Sequence, residues 1–87
     1  MRRYQIEKTK KGRLRIAVPE KSPLSYKEVK DLENAVIDFI DENNVVCGDT
    51  YTRHHKYTEN GFRVLEVHKP NPKTIRRVIY LYFFFGV

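Results

Sequence analysis

The spacing of apolar positions changes along this chain, and each change marks an element. Residues 4–9 and 13–18 flank Lys10-Lys11-Gly12, and Leu14, Ile16 and Val18 alternate with Arg13, Arg15 and Ala17. That is the two-residue period of a strand with one wet face. A short loop ending in glycine commonly joins such strands, because glycine takes positive φ without strain, so residues 1–18 are expected to form an N-terminal hairpin. Pro19 and Pro23 bracket a linker after it.

From residue 25 to 44 the period becomes helical. Val29, Leu32, Ala35, Val36, Ile37, Phe39 and Ile40 fall on one side at 100° per residue, opposite Lys27, Lys30, Asp31, Asn34, Asp38 and Asp41. Ser25 followed by Glu28 has the spacing of a capping box, and Leu24 with Val29 that of a hydrophobic staple. A helix starting at Tyr26 is expected, with its broad apolar stripe laid on a sheet. Its last turn holds Asp41 and Glu42, where the helix dipole favours cations, so basic strands nearby are expected to neutralise them. Glu33 projects close to the apolar stripe and should pair with a Lys or Arg.

Residues 49–69 read as a second hairpin around Asn60-Gly61, a strong signal for a two-residue turn. With that turn Tyr57 faces Val64, His55 faces Glu66 and Arg53 faces His68; a bulge at Glu59 would shift the register by one and reverse the faces. Beyond Pro70-Asn71-Pro72, residues 73–86 close the chain, with an unbroken apolar run from Val78 to Phe85. Ile75, Val78, Ile79, Tyr82 and Phe83 fit a helical stripe capped by Thr74 and stopped by Gly86, but such a helix would have no polar face. The wealth of Ile, Val, Tyr and Phe favours a central strand buried on both sides. In that strand Ile79, Leu81, Phe83 and Phe85 face the helix, and Val78, Tyr80, Tyr82 and Phe84 face away. The fold class expected is α+β: a small single domain over residues 1–87, ordered ββαβββ, with a mainly antiparallel sheet and one amphipathic helix on one face.

Charge narrows the choice of partner. Residues 1–30 hold ten Lys/Arg against three Asp/Glu, residues 31–50 none against six, and residues 51–87 seven against two, giving +7, −6 and +5 and a net +6. Basic flanks around an acidic helix favour an anionic partner, nucleic acid or an acidic protein surface. Lys10, Lys11, Arg13, Arg15, Arg53, Lys56, Arg76 and Arg77 are placed to neutralise phosphates, with His55 beside them and with Tyr80 and Tyr82 to stack on bases. RNA and DNA are not distinguished, and a homodimer through the C-terminal strand stays open. The single cysteine, Cys47, cannot close an internal disulfide, and after Val45-Val46 it reads as a small buried residue. Met1-Arg2-Arg3 lacks the apolar run of a signal peptide, and residues 78–85 are too few to span a membrane. A cytoplasmic protein is expected.

Candidate chemistry is sparse. Adjacent His54 and His55 on a strand point to opposite faces, and with His68 and Cys47 they show no zinc-ligand spacing; no metal or cofactor is expected. His55 opposite Glu66, with Arg53 beside His68, reads as an acid/base cluster or as a cross-strand polar ladder. Arg53-His54-His55-Lys56-Tyr57, a glycine, a Val-containing strand and then residues 73–79 (Lys-Thr-Ile-Arg-Arg-Val-Ile) resemble the second half of HicA-type toxins, small mRNA interferases with a dsRNA-binding-like fold. The resemblance implies His54 as a catalytic position and a helical final segment. It covers about 35 residues: Thr52-Arg53 replaces that family's Gly-Ser, and its strand-ending Val-Pro is missing. The residues themselves point first to a non-enzymatic nucleic-acid-binding protein. Next come a protein-interaction or inhibitor protein of the kind phages and mobile elements encode, and then an RNase toxin.

Overall fold

A computed structural model describes residues 3–48 and 53–86. The order of elements is β1 (Gln5–Lys8), β2 (Leu14–Pro19), α1 (Tyr26–Glu42), β3 (Arg53–Glu59), β4 (Phe62–His68) and α2 (Ile75–Phe83). The expected residues 49–52 of the second hairpin, with Tyr51, lie outside the described residues. The strands form one antiparallel sheet in the order β1-β2-β4-β3. Both β2 and β3 run opposite to β4, so they are parallel to each other with β4 inserted between them, a split β-α-β arrangement.

Local chemistry sets α1 where the spacing placed it. The Ser25 hydroxyl accepts from the Glu28 amide at 3.2 Å, and the Glu28 carboxylate accepts from the Ser25 amide at 3.0 Å. Arg3 grips the same carboxylate through two nitrogens, at 2.6 and 2.9 Å, and so ties the start of the described chain to the start of the helix. The far end closes with a Schellman-type turn: Asn44 has φ 52°, the Val45 amide donates to Ile40 O at 3.2 Å, and Val45 and Ile40 are both buried. No cation lies in the last turn itself. Instead Lys8 on β1 donates to the carbonyl of Asn43 at 3.2 Å, bringing a positive charge to the negative end of the helix dipole.

The second hairpin has the register of a two-residue turn, pairing Tyr57 with Val64, His55 with Glu66 and Arg53 with His68. Asn60 and Gly61 both take positive φ, 51° and 83°, which matches the right-handed twist of the strands they join.

The closing segment is the main correction: residues 75–83 are a helix, not a strand, so the order is ββαββα with two helices. The expected division into Ile79, Leu81, Phe83 and Phe85 against Val78, Tyr80, Tyr82 and Phe84 therefore fails. Ile75, Ile79, Tyr82 and Phe83, spaced at helical intervals, turn inward. Thr74 gives no side-chain cap. Asn71 does that work: its Oδ1 accepts from the Lys73 amide at 2.9 Å, and its carbonyl accepts from Thr74 and Ile75 at 3.0 and 2.9 Å. An asparagine cap followed by Pro72 is a helix-start signal that the surrounding apolar composition masks. Both helices cover one face of the sheet. The core joins Leu14, Ile16, Val18, Leu65 and Val67 of the strands to Val29, Leu32, Val36 and Ile40 of α1 and to Ile75, Ile79, Tyr82 and Phe83 of α2. No helix among the described residues is long and apolar enough to cross a membrane.

Candidate nucleic-acid interface

The face of the sheet away from the helices can be read row by row from the strand pairing. At its centre Gln5, Ala17, Val64 and Tyr57 lie side by side, with Ala17 and Val64 buried. The next row, toward the β1–β2 turn, is Glu7, Arg15, Glu66 and His55. Beyond it Arg53 faces His68, and Arg13 lies one residue before Leu14 on the same side.

Acids and bases are matched in the middle of this face. Arg15 reaches Glu7 at 2.7 Å and Glu59 at 3.1 Å, bridging from β1 to the outer strand β3. The Glu66 carboxylate accepts the Tyr57 hydroxyl and lies 3.9 Å from Arg13. Burial and that bond to Glu66 raise the phenol pKa of Tyr57. Glu66 thus bonds to Tyr57 with Arg13 nearby, and His55 stands opposite it across the β3–β4 ladder without a hydrogen bond to it among the described residues. His54 lies on the helix side of β3, level with Val67 and Leu14. Its pKa is lowered, by burial first and then by Lys56, which favours the neutral ring.

The end of the sheet is different. The pairing of Leu14 with both Lys8 and Val67, and of Val67 with His54, brings the β1–β2 turn, the end of β4 and the start of β3 together. Exposed Lys10, Lys11, Arg53, His68 and Lys69, with half-buried Arg13, therefore gather from three separated stretches. On the open face at this end the carboxylates are Glu66 and Glu7, which share a row, and Glu7 is held by Arg15. The turn that carries Lys10 and Lys11 is fixed by Thr9, whose amide donates to Arg13 O at 2.8 Å and whose carbonyl accepts from Gly12 at 2.9 Å. The Thr9 hydroxyl also accepts from the Arg13 amide at 3.0 Å.

No family model, no curated protein and no solved structure matches this chain. The resemblance to HicA-type toxins thus stands on its short motifs and the helical final segment alone.

The remaining candidates lie elsewhere. Lys56 is on the helix side of β3, its ammonium 5.4 Å from the Tyr82 ring. Arg76 and Arg77 are exposed on α2, Arg76 lying 3.6 Å from the Glu33 carboxylate. Tyr80 is half-buried among aromatic rings of the helical layer. Tyr82 is a core residue, 7 % exposed, with the Arg63 guanidinium 4.4 Å from its ring. So one surface does not unite the eleven candidates: the hairpin-end cations share one side with Arg15 and His55, while the two tyrosines belong to the helical layer. Cys47 is exposed, contrary to the expectation that it is buried, because Val45 alone of that stretch turns into the core. Among the described residues no His, Cys, Asp and Glu cluster has the makings of a metal site.

Proposed function

We propose that this protein binds nucleic acid without cleaving it, meeting the phosphate backbone with the hairpin end of its sheet. The observation that carries this reading is the convergence of Lys10, Lys11, Arg13, Arg53, His68 and Lys69 at one end of the sheet, where the nearest carboxylates of the open face, Glu66 and Glu7, already lie beside Arg13 and Arg15. Exposed cations held on a short turn are suited to a sequence-independent phosphate contact, whereas a buried, matched pair is not. Arg15 is accordingly set aside as a contact: two carboxylates already engage it. The reading without hydrolysis is supported by the separation of His54 and His55 onto opposite faces and by the engagement of Glu66 with Tyr57 and Arg13.

Replacing Lys10 and Lys11 together with Ala should weaken binding to duplex and single-stranded oligonucleotides alike. It should also flatten the dependence of log K on log salt by about 1.4 to 1.8, since each lost phosphate contact removes about 0.7 to 0.9 from the slope. Arg15→Ala should leave the slope almost untouched. Fluorescence anisotropy across a salt series measures both. A slope that stays the same in the double variant would remove the hairpin end from the interface, and RNA cleavage abolished by His54→Ala would restore the toxin reading.

A further inference from the structure

The helical layer carries a second surface at the other end of the molecule. There Arg63, paired with Val18, donates to the Tyr82 carbonyl, which sets the C-terminal end of α2 over the end of the sheet away from the basic turn. Tyr26, from the first turn of α1, stands edge-on to Tyr80 at 6.1 Å and to Phe84 at 5.9 Å. Tyr80 and Phe84 stack at 5.3 Å, and Phe85 meets both of them edge-on. This cluster is not core: Tyr26 is 53 %, Phe84 39 % and Phe85 58 % exposed, and neighbouring Leu81 is 39 % exposed. A contiguous aromatic patch open to water is a mark of an interaction site, and Tyr and Phe with basic neighbours are the composition of interface anchors.

Charge and geometry select the occupant. The Lys30 ammonium lies over the rings of Tyr26 and Tyr80, at 5.4 and 5.0 Å, and also 3.5 Å from Glu33. Arg76 shares the same carboxylate, and Arg77 continues the helical stripe of Tyr80, Leu81 and Phe84 at spacings of three, four and seven residues. Three cations thus border the patch against one carboxylate, Glu33, which is buried and already shared. A second copy docked through the same patch would set these three cations against themselves, which disfavours self-association. Nucleobase stacking is disfavoured as well, because Tyr80 and Phe84 spend a ring face on each other and Lys30 occupies two more. What the patch offers outward is ring edges, an apolar surface and unmatched positive charge.

We infer that this aromatic patch docks an acidic protein segment, one that sets Asp or Glu beside large apolar side chains. The rings are already packed on one another, so little side-chain freedom is lost on binding. Carboxylates of the segment then meet Lys30, Arg76 and Arg77, and its apolar side chains cover Leu81, Phe84 and Phe85.

Selection of short random peptides displayed on phage against the immobilised protein tests this without presupposing a sequence. Selected peptides should be rich in Asp and Glu around Phe, Leu or Trp, and amide shifts on titration should centre on residues 26, 30 and 77–85 while sparing Lys10 and Lys11. Phe85→Ser should weaken a selected peptide by about tenfold, and so should Arg77→Glu, a change at an exposed position that guards against loss of folding. Neither variant should change the salt slope for oligonucleotides, so this surface and the hairpin end succeed or fail separately. The inference is overturned by no enrichment, by enrichment of basic or neutral peptides, or by selected peptides that bind the Arg77→Glu protein equally well. Oligothymidylate shifting the same amides would show instead that the patch binds bases, and a dimer abolished by Phe85→Ser would show that it binds its own copy.

Discussion

At the scale of single residues, two carboxylates act on stability in opposite ways: Glu28, held in the cap where α1 begins, and Glu33, buried in the core. Ser25→Ala removes one half of the reciprocal cap while Arg3 still holds Glu28, so a loss of about 0.5 to 2 kcal/mol, toward the lower end, is expected in a denaturant titration. The Glu28 carboxyl is held down at about 2 by the Arg3 guanidinium and then by the Ser25 amide, against an ordinary 4.5. A depressed carboxylate stabilises the fold fully above its unfolded value, and that contribution is lost as the pH falls from about 4.5 toward 2. The stability of Glu28→Gln should therefore vary less with pH across that window, and a curve that parallels the parent's would place the acid sensitivity elsewhere. Glu33 is a different case, 2 % exposed, with Oε2 making no hydrogen bond and with the ammonium of Lys30 and the guanidinium of Arg76 at 3.5 and 3.6 Å. Removing Arg76 leaves a buried carboxylate with one partner fewer, whereas replacing the acid removes the desolvation cost itself. Arg76→Ala should lower the melting temperature and Glu33→Met should hold or raise it. If Glu33→Met is the more damaging of the two, the buried carboxylate is a net stabiliser.

At the scale of elements, α2 decides what the C-terminal aromatics do. As a helix it puts Tyr82 into the core and Tyr80, Phe84 and Phe85 into a surface cluster, so two tyrosines only two residues apart have different duties. Tyr82→Ala is expected to cost about 3 kcal/mol, the low end for emptying an aromatic site, whereas Phe85→Ser is expected to cost little because the ring is mostly in water. Parallel thermal melts of the two proteins check this, and equal losses would contradict the inward turn of Tyr82. The β1–β2 and β3–β4 hairpins behave more simply. Each is closed by its own turn, Thr9 to Arg13 in one and Asn60-Gly61 in the other, and each register follows from that turn.

At the scale of the whole molecule, the split sheet creates two surfaces of different character: a basic end built from the turn and strand ends, and an aromatic patch built from the two helices. The net charge of +6 is therefore not a uniform coat. Arg15 is matched by Glu7 and Glu59 on the open sheet face, whereas Lys10, Lys11, Arg53 and Lys69 gather at the basic end and Lys30, Arg76 and Arg77 border the patch. The helix α1 and both hairpins were legible from the chain because their determinants lie within a few residues of one another: Ser25 and Glu28 for the cap, Asn60 and Gly61 for the turn, and alternation along Leu14, Ile16 and Val18. The cations of the candidate site could be named in the same way, but not grouped. Lys10, Arg53 and Lys69 meet because β4 inserts between β2 and β3, and strand order depends on pairings across most of the chain. The same holds for Tyr26 and Tyr80, which belong to helices separated by the second hairpin. In residues 75–83 the local pattern was compatible with both helix and strand, since the run from Val78 onward is apolar at every position and suits any element that is widely buried. Tertiary structure chose the helix by offering the space beside α1 as well as the sheet to pack against, with Asn71 and Pro72 as the one local cue.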